Sequence, residues 1–145
     1  MIGLHEKIHR LIRYYTKMCG TNDPFRIAEF LNIEIFFCQL GNISGYYQYL
    51  KRHKCIYINS SLEEDFCKIV MAHELGHALL HPKENCTFMG THTLLLTSRI
   101  ERQANLFAAC LLISDDMLQE YEGCTQEQFC QCTGFPKELI ELRLK

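Results

Sequence analysis

The chain has 145 residues, of which 48% are hydrophobic and 22% charged, and its formal net charge is −2. This length suits one domain with a sizeable core, and the charge gives no overall attraction to nucleic acid or to anionic membranes. No apolar run approaches the roughly 20 residues of a membrane span, and the N-terminus lacks the apolar core of a signal peptide, so we expect a cytoplasmic protein.

The first 60 residues predict two helices followed by three strands, and hence an α+β fold. Apolar residues recur at helical spacing over residues 5–18, and a shorter helix is expected at residues 24–31. The strands are expected at residues 33–37, 46–50 and 55–58, with turns at residues 41–45 and 51–54. The middle strand carries Tyr46, Tyr47 and Tyr49, which can present an edge to an extended peptide or pack on alternate faces of the sheet.

A third helix is predicted between two local signals. Ser61 and Glu64 have the spacing of a capping box at its start, and Pro82 is expected to end it. Its core-facing stripe is predicted to consist of Phe66, Val70, His73, His77 and Leu80. Residues 82–97 form the longest predicted loop, which contains Cys86 and His92.

The third helix contains the motif His73-Glu74-Leu75-Gly76-His77. Two imidazoles four residues apart lie on one helix face, so both can reach a single metal ion. Zinc is the usual metal for this pair, and Glu74 is placed to activate water. The alternative is a chance match in which both histidines have only structural roles.

A further histidine, His81, is a candidate for the third metal ligand. On a straight helix it lies about 12 Å from His73 along the axis, which is too far for one ion. We therefore interpret His81 as a residue that ends the helix or that contacts a metal ligand without binding the metal itself. The better candidate for the third ligand is Glu101, on a helix predicted from residue 98 onward. The alternative for Glu101 is a capping box with Ser98 and no other role.

The motif, followed by Glu101, Ala104, Asn105, Phe107 and Ala108, resembles the ImmA/IrrE family of metallopeptidases. The similarity covers roughly residues 20–145, including residues 23–28 and 57–59. It implies a small zincin-like domain in which His73, His77 and Glu101 bind zinc, with Mn²⁺ as the alternative metal. It further implies that Glu74 is the general base and Asn105 a second-shell or structural residue.

The C-terminal third predicts three more helices. One is expected over residues 115–121, and two more, at residues 125–133 and 136–144, resemble a helix-turn-helix in outline. Their charges balance, so we interpret residues 124–145 as a helical cap on a single domain, residues 1–145, without direct nucleic-acid binding.

Nine cysteines are many for this length. We expect free thiols, with Cys67 and Cys110 as small buried groups in helices. A second metal site at Cys124, Cys130 and Cys132 is the alternative, but these residues lack the spacing of a zinc finger.

The family resemblance implies site-specific cleavage of a helix-turn-helix transcriptional repressor of a mobile element or stress regulon. Two other functions compete with it: an antirepressor that sequesters its partner around a structural metal, and a general peptidase. The intact Glu74 argues against a purely structural metal, which needs no base. No residue is assigned to substrate binding, and the oxyanion-stabilising residue has four candidates without a spacing argument: Tyr46, His53, His92 and Arg99.

Overall fold

The structure is a computed structural model that describes residues 2–88 and 98–145, with the backbone alone described at residues 86–88. The elements in chain order are α1 (Leu4–Cys19), α2 (Pro24–Phe30), β1 (Glu34–Cys38), β2 (Gly45–Leu50), β3 (His53–Asn59), α3 (Glu64–Leu80), β4 (Cys86–Phe88), α4 (Arg99–Leu112), α5 (Asp115–Glu120), α6 (Gln126–Thr133) and α7 (Lys137–Leu144). The α+β class is confirmed.

The sheet has the strand order β1-β3-β2-β4. β1 pairs with β3 in parallel, and β2 pairs antiparallel with both β3 and β4. The three predicted strands are all present. The fourth, at residues 86–88, lies where the sequence indicated a loop, because three residues are too few to show a strand periodicity.

β2 is an interior strand at Tyr46 and Tyr47, which corrects the interpretation of this segment as a free edge for an extended peptide. β3 covers one side of Tyr46 and Tyr47 and β4 the other. Tyr47 is fully buried, whereas Tyr46 stacks on Tyr57 on the opposite face of the sheet, with ring centroids 4.3 Å apart. The tyrosines thus pack on alternate faces, and the free edge that a peptide would need is absent at Tyr46 and Tyr47.

The turn between β2 and β3 is shorter than predicted. Lys51 and Arg52 have φ angles of 51° and 67°, and they alone connect the strands, since β3 begins at His53. Two consecutive residues with positive φ are typical of a tight hairpin whose twist matches that of its strands. The expected turn over residues 51–54 is therefore corrected to residues 51–52.

α3 is the central helix, packed between the sheet and α4. Phe66 and residues 69–78 are buried, so the helix is buried nearly all round rather than along one stripe. The motif at residues 73–77 lies within this buried stretch. No helix in the described part of the chain is both long and apolar enough to cross a membrane.

The start of α3 differs from the prediction. The helix begins at Glu64, and its N-cap Glu63 makes no side-chain capping bond. Ser61 donates from its backbone N and its Oγ to Asn59 Oδ1, at 3.0 and 2.8 Å. The predicted capping box of Ser61 and Glu64 is wrong, because Asn59 offers the serine hydroxyl a nearer acceptor.

The C-terminal helices contribute to the same core. Phe129, Leu139 and Ile140 are buried in it. Arg143 donates from Nε to the Ile113 carbonyl at 2.6 Å, which connects α7 to the end of α4. These contacts favour the interpretation of residues 124–145 as a helical cap, which stays a prediction together with the single-domain organisation.

All cysteines with described side chains are free thiols, Cys110 being buried and Cys67 half-buried. We therefore expect thiol titration of the denatured protein to give nearly the same count with and without prior reduction. A large deficit in the unreduced sample would reveal disulfides and contradict the expectation of a reducing compartment.

Candidate metal centre

The candidate site lies where α3 and α4 pack closely against each other. Gly76 permits this approach: a Cβ at that position would lie 3.1 Å from Phe107 Cδ1 and 3.2 Å from the Ala104 carbonyl oxygen. α4 starts after Ser98, whose Oγ accepts a hydrogen bond from the Glu101 backbone N at 3.3 Å. Because Gly76 lies against Ala104 and Phe107, the first turns of α4 face the motif on α3.

Three side chains converge between these helices. The Nε2 atoms of His73 and His77 are 3.1 Å apart. Glu101 places Oε2 3.0 Å from His73 Nε2 and Oε1 2.8 Å from His77 Nε2. Both histidines are fully buried, and the Glu101 side chain is 18% exposed. The Glu101 carboxylate contacts both histidines, so the alternative in which Glu101 only forms a capping box with Ser98 does not account for its position.

The electrostatics at this point favour a cation. Burial lowers the pKa of His77, although the neighbouring Glu101 opposes this in part, so the imidazole is neutral near pH 7. Burial alone raises the pKa of Glu101, but hydrogen bonds and charge interactions with His73 and His77 outweigh it and hold that pKa at about 2. A carboxylate therefore faces two ring nitrogens in a space sheltered from water.

Each histidine has a second contact on its other ring nitrogen. His73 Nδ1 lies 2.5 Å from Asn105 Oδ1, and His77 Nδ1 lies 3.1 Å from His81 Nδ1. His81 in turn places its Nε2 2.7 Å from Gln103 Oε1. An oxygen acceptor at Nδ1 keeps the proton there and leaves Nε2 with a lone pair for a metal. Gln103 was not predicted from the sequence, since nothing in its spacing sets it apart.

Glu74 is fully buried beside this group. Neither of its carboxylate oxygens has a hydrogen-bond partner within residues 2–88 and 98–145. Burial and, to a lesser extent, the charge of Glu101 raise the pKa of Glu74 well above its ordinary value. The start of β2 approaches it, because a Cβ at Gly45 would lie 3.6 Å from Glu74 Oε2.

These residues fit a divalent metal ion. The ligand atoms of His73, His77 and Glu101 lie within 4.8 Å of one another, and in the described part of the chain they are the one group of three such residues. Two imidazoles and one carboxylate are a ligand set of catalytic zinc sites, which keep a further position open. Beside this open position, the Glu74 carboxylate has no hydrogen-bond partner in the described part of the chain, so it is available to accept a proton from water.

The other predicted site residues are placed elsewhere. Cys124, Cys130 and Cys132 form no metal-ligand group among the described residues. Of the oxyanion candidates, Tyr46 stacks on the face of the sheet opposite Tyr47, and His53 lies at the exposed end of the hairpin. Arg99 lines an open cleft with Leu4 and Leu106, and His92 lies outside the described residues. The oxyanion-stabilising residue stays unassigned.

Comparison with known proteins identifies the family of this chain. The sequence profile of the IrrE N-terminal-like domain matches residues 28–145. The chain is 37% identical over 139 residues to "Uncharacterized immunity region protein 2" of Bacillus phage phi105, an alignment that covers 94% of this chain and 85% of that one.

A second relative carries an activity in its name. The chain is 30% identical over 148 aligned residues to "Metallopeptidase ImmA" of Bacillus subtilis (strain 168), with 98% of this chain and 84% of the relative covered. The chain therefore belongs to the ImmA/IrrE-like metallopeptidase family, as its two motifs predicted. Membership in that family implies a bound metal, in agreement with the cluster of His73, His77 and Glu101.

The close packing at Gly76 leads to a stability prediction. Gly76→Val should destabilise the fold by about 1–3 kcal/mol, because its methyl groups meet Phe107 and the α4 backbone. Gly76→Ala is the matched control. Its one methyl group requires only a small shift of Phe107, and the cost of that shift is offset by the helix propensity of alanine, which is about 1 kcal/mol more favourable than that of glycine. Urea denaturation compares them, and a valine variant as stable as the alanine variant would contradict the close approach of α4.

Proposed function

We propose that this chain is a zinc-dependent endopeptidase of the cytoplasm that cleaves a helix-turn-helix transcriptional repressor at a limited number of sites. The observation that carries the hydrolytic part is Glu74. Its buried carboxylate has no hydrogen-bond partner among the residues that the structure describes, which costs several kcal/mol of stability, so its place beside three metal-ligand side chains favours a chemical role.

The proposed mechanism divides the roles among five side chains. His73, His77 and Glu101 hold the metal, and Asn105 orients the His73 ring through its Nδ1. A bound zinc ion would supply Lewis acidity, which acidifies water and polarises a peptide carbonyl. Glu74 accepts the proton of the attacking water and passes it to the nitrogen of the leaving amine. Its raised pKa suits this exchange, because the group must take up and release a proton in one cycle.

The choice of a phage-immunity repressor as the substrate is supported by one relative. One relative bears the words "immunity region" in its name and comes from a phage, which supports a substrate that acts in phage immunity.

The direct test is incubation with a helix-turn-helix repressor encoded beside this chain, followed by intact-mass analysis. We expect a small set of fragments, and each pair from one cut should sum to the repressor mass plus one water. A repressor that keeps its intact mass while it binds the chain would instead favour sequestration.

Metal removal should switch the reaction off reversibly. A chelator should abolish cleavage, and stoichiometric Zn²⁺ should restore it, because three protein ligands leave the metal exchangeable. Mn²⁺ serves as the second arm of the same experiment. Cleavage that persists at full rate in thoroughly chelated protein would contradict a metal-dependent mechanism.

A further inference from the structure

His81 lies just after the end of α3, and its side chain packs back against that helix. α3 ends at Leu80, and His81 has φ −132° and ψ 55°, outside the helical region. Its ring turns back on His77, with ring centroids 5.3 Å apart, and the residue is only 8% exposed. His81 Nδ1 faces His77 Nδ1 at 3.1 Å, while His81 Nε2 faces Gln103 Oε1 at 2.7 Å.

The hydrogen bonds in this chain have a required direction. If His77 binds a metal through Nε2, its Nδ1 carries the proton and must donate it. His81 Nδ1 can accept that proton only if the single proton of the neutral His81 ring is on Nε2. Gln103 Oε1, an acceptor, holds the His81 proton at that nitrogen.

A reversed Gln103 amide would have the opposite effect. Its nitrogen would donate to His81 Nε2, which would move the His81 proton to Nδ1. Two N–H groups would then face each other at 3.1 Å, unless the His77 proton moved to Nε2 and blocked the metal-binding atom. His73 differs, since Asn105 Oδ1 contacts its Nδ1 without an intermediate.

We propose that Gln103, acting through His81, is a positioning residue that fixes the proton of His77 on Nδ1 and so keeps Nε2 available to the metal, which rests on the metal centre proposed above. Gln103 lies on α4 and His77 on α3, so this pair of contacts also joins the helices that carry the ligands. We call the Gln103–His81–His77 chain the relay.

Matched substitutions at Gln103 test the relay. Gln103→Met keeps a similar length but has no strong acceptor, and Gln103→Glu keeps an acceptor that cannot donate. Competition with a chelator measures Zn²⁺ affinity, and proton NMR of the Zn²⁺-loaded protein follows the ring N–H signals of His77 and His81. Gln103→Met should lower the affinity roughly 10-fold and lose the protected His81 Nε2–H signal. Gln103→Glu should retain that signal and at least the wild-type affinity.

His81→Phe removes the middle of the relay while keeping a ring. Its Zn²⁺ affinity should fall further, towards the roughly 100-fold end of second-shell effects. Wild-type affinity and an unchanged His81 signal in Gln103→Met would overturn the proposal. So would an equal loss in Gln103→Glu and Gln103→Met, since the acceptor would then not matter.

These readouts separate the relay from the peptidase. Neither Zn²⁺ affinity nor the N–H signals depend on cleavage. A chain that binds Zn²⁺ but cleaves nothing would therefore contradict the proposed peptidase activity and leave the proposed role of Gln103 unaffected. A wild-type chain that binds no Zn²⁺ would overturn the metal centre and the relay with it.

Discussion

Glu74→Gln should abolish cleavage of the repressor while zinc binding and the fold remain. Glu74 makes no metal bond in the proposed site, so the ligand set of His73, His77 and Glu101 is untouched. The amide cannot accept a proton from water, and the loss of a general base slows the chemical step by about 10²–10⁴-fold. Stability should not fall, because the replaced carboxylate has no partner among the described residues. Metal analysis, thermal unfolding and the cleavage assay measure the three properties.

The same variant separates an enzyme from a sequestering antirepressor. Pull-down of the repressor should survive the substitution, since binding does not depend on the transferred proton. In a reporter assay, relief of repression should vanish. If Glu74→Gln protein relieves repression at the wild-type level, hydrolysis is not the function and sequestration becomes the better account.

Glu101→Ala should lose the metal. Its carboxylate reaches both histidine Nε2 atoms, at 3.0 and 2.8 Å, and is the only acidic member of the cluster. Removing it leaves two imidazole ligands in a buried site, so metal affinity should fall by more than the roughly 10–100-fold typical of losing a residue that contacts a ligand and not the metal. Metal analysis of the purified protein, with chelator competition, gives the magnitude.

His81→Ala is the control for Glu101→Ala. This residue contacts His77 Nδ1 rather than the space between the Nε2 atoms. At saturating Zn²⁺ the variant should still hold one ion per chain, although more weakly. If His81→Ala loses zinc and Glu101→Ala keeps it, the assignment of the third ligand is wrong.

The two histidines were predictable because they obey a local rule: a four-residue spacing places His73 and His77 on one helix face whatever surrounds the helix. The spacing of Glu101 allowed a capping box with Ser98 equally well, so Glu101 was predicted as a ligand only through the family resemblance of its motif. The structure brings these side chains together without any change in the predicted register of either helix.

Local signals failed where two of them competed or where a segment was short. Ser61 had the spacing of a helix N-cap, but its hydroxyl donates a hydrogen bond to Asn59, and α3 begins at Glu64. The strand at residues 86–88 exists through its pairing with β2, a partner about 40 residues away in sequence that no local pattern can indicate.

The sequence by itself determined the family, the order of helices and strands before α3, and the three side chains that meet between α3 and α4. Only the tertiary structure decided what surrounds them. The contact of His73 with Asn105 spans 32 residues and that of His81 with Gln103 spans 22, so both depend on how α3 and α4 pack at Gly76. That Glu74 is buried without a hydrogen-bond partner in residues 2–88 and 98–145 is likewise a property of its neighbours, because burial and hydrogen bonding arise from the packed helices and sheet rather than from residue spacing.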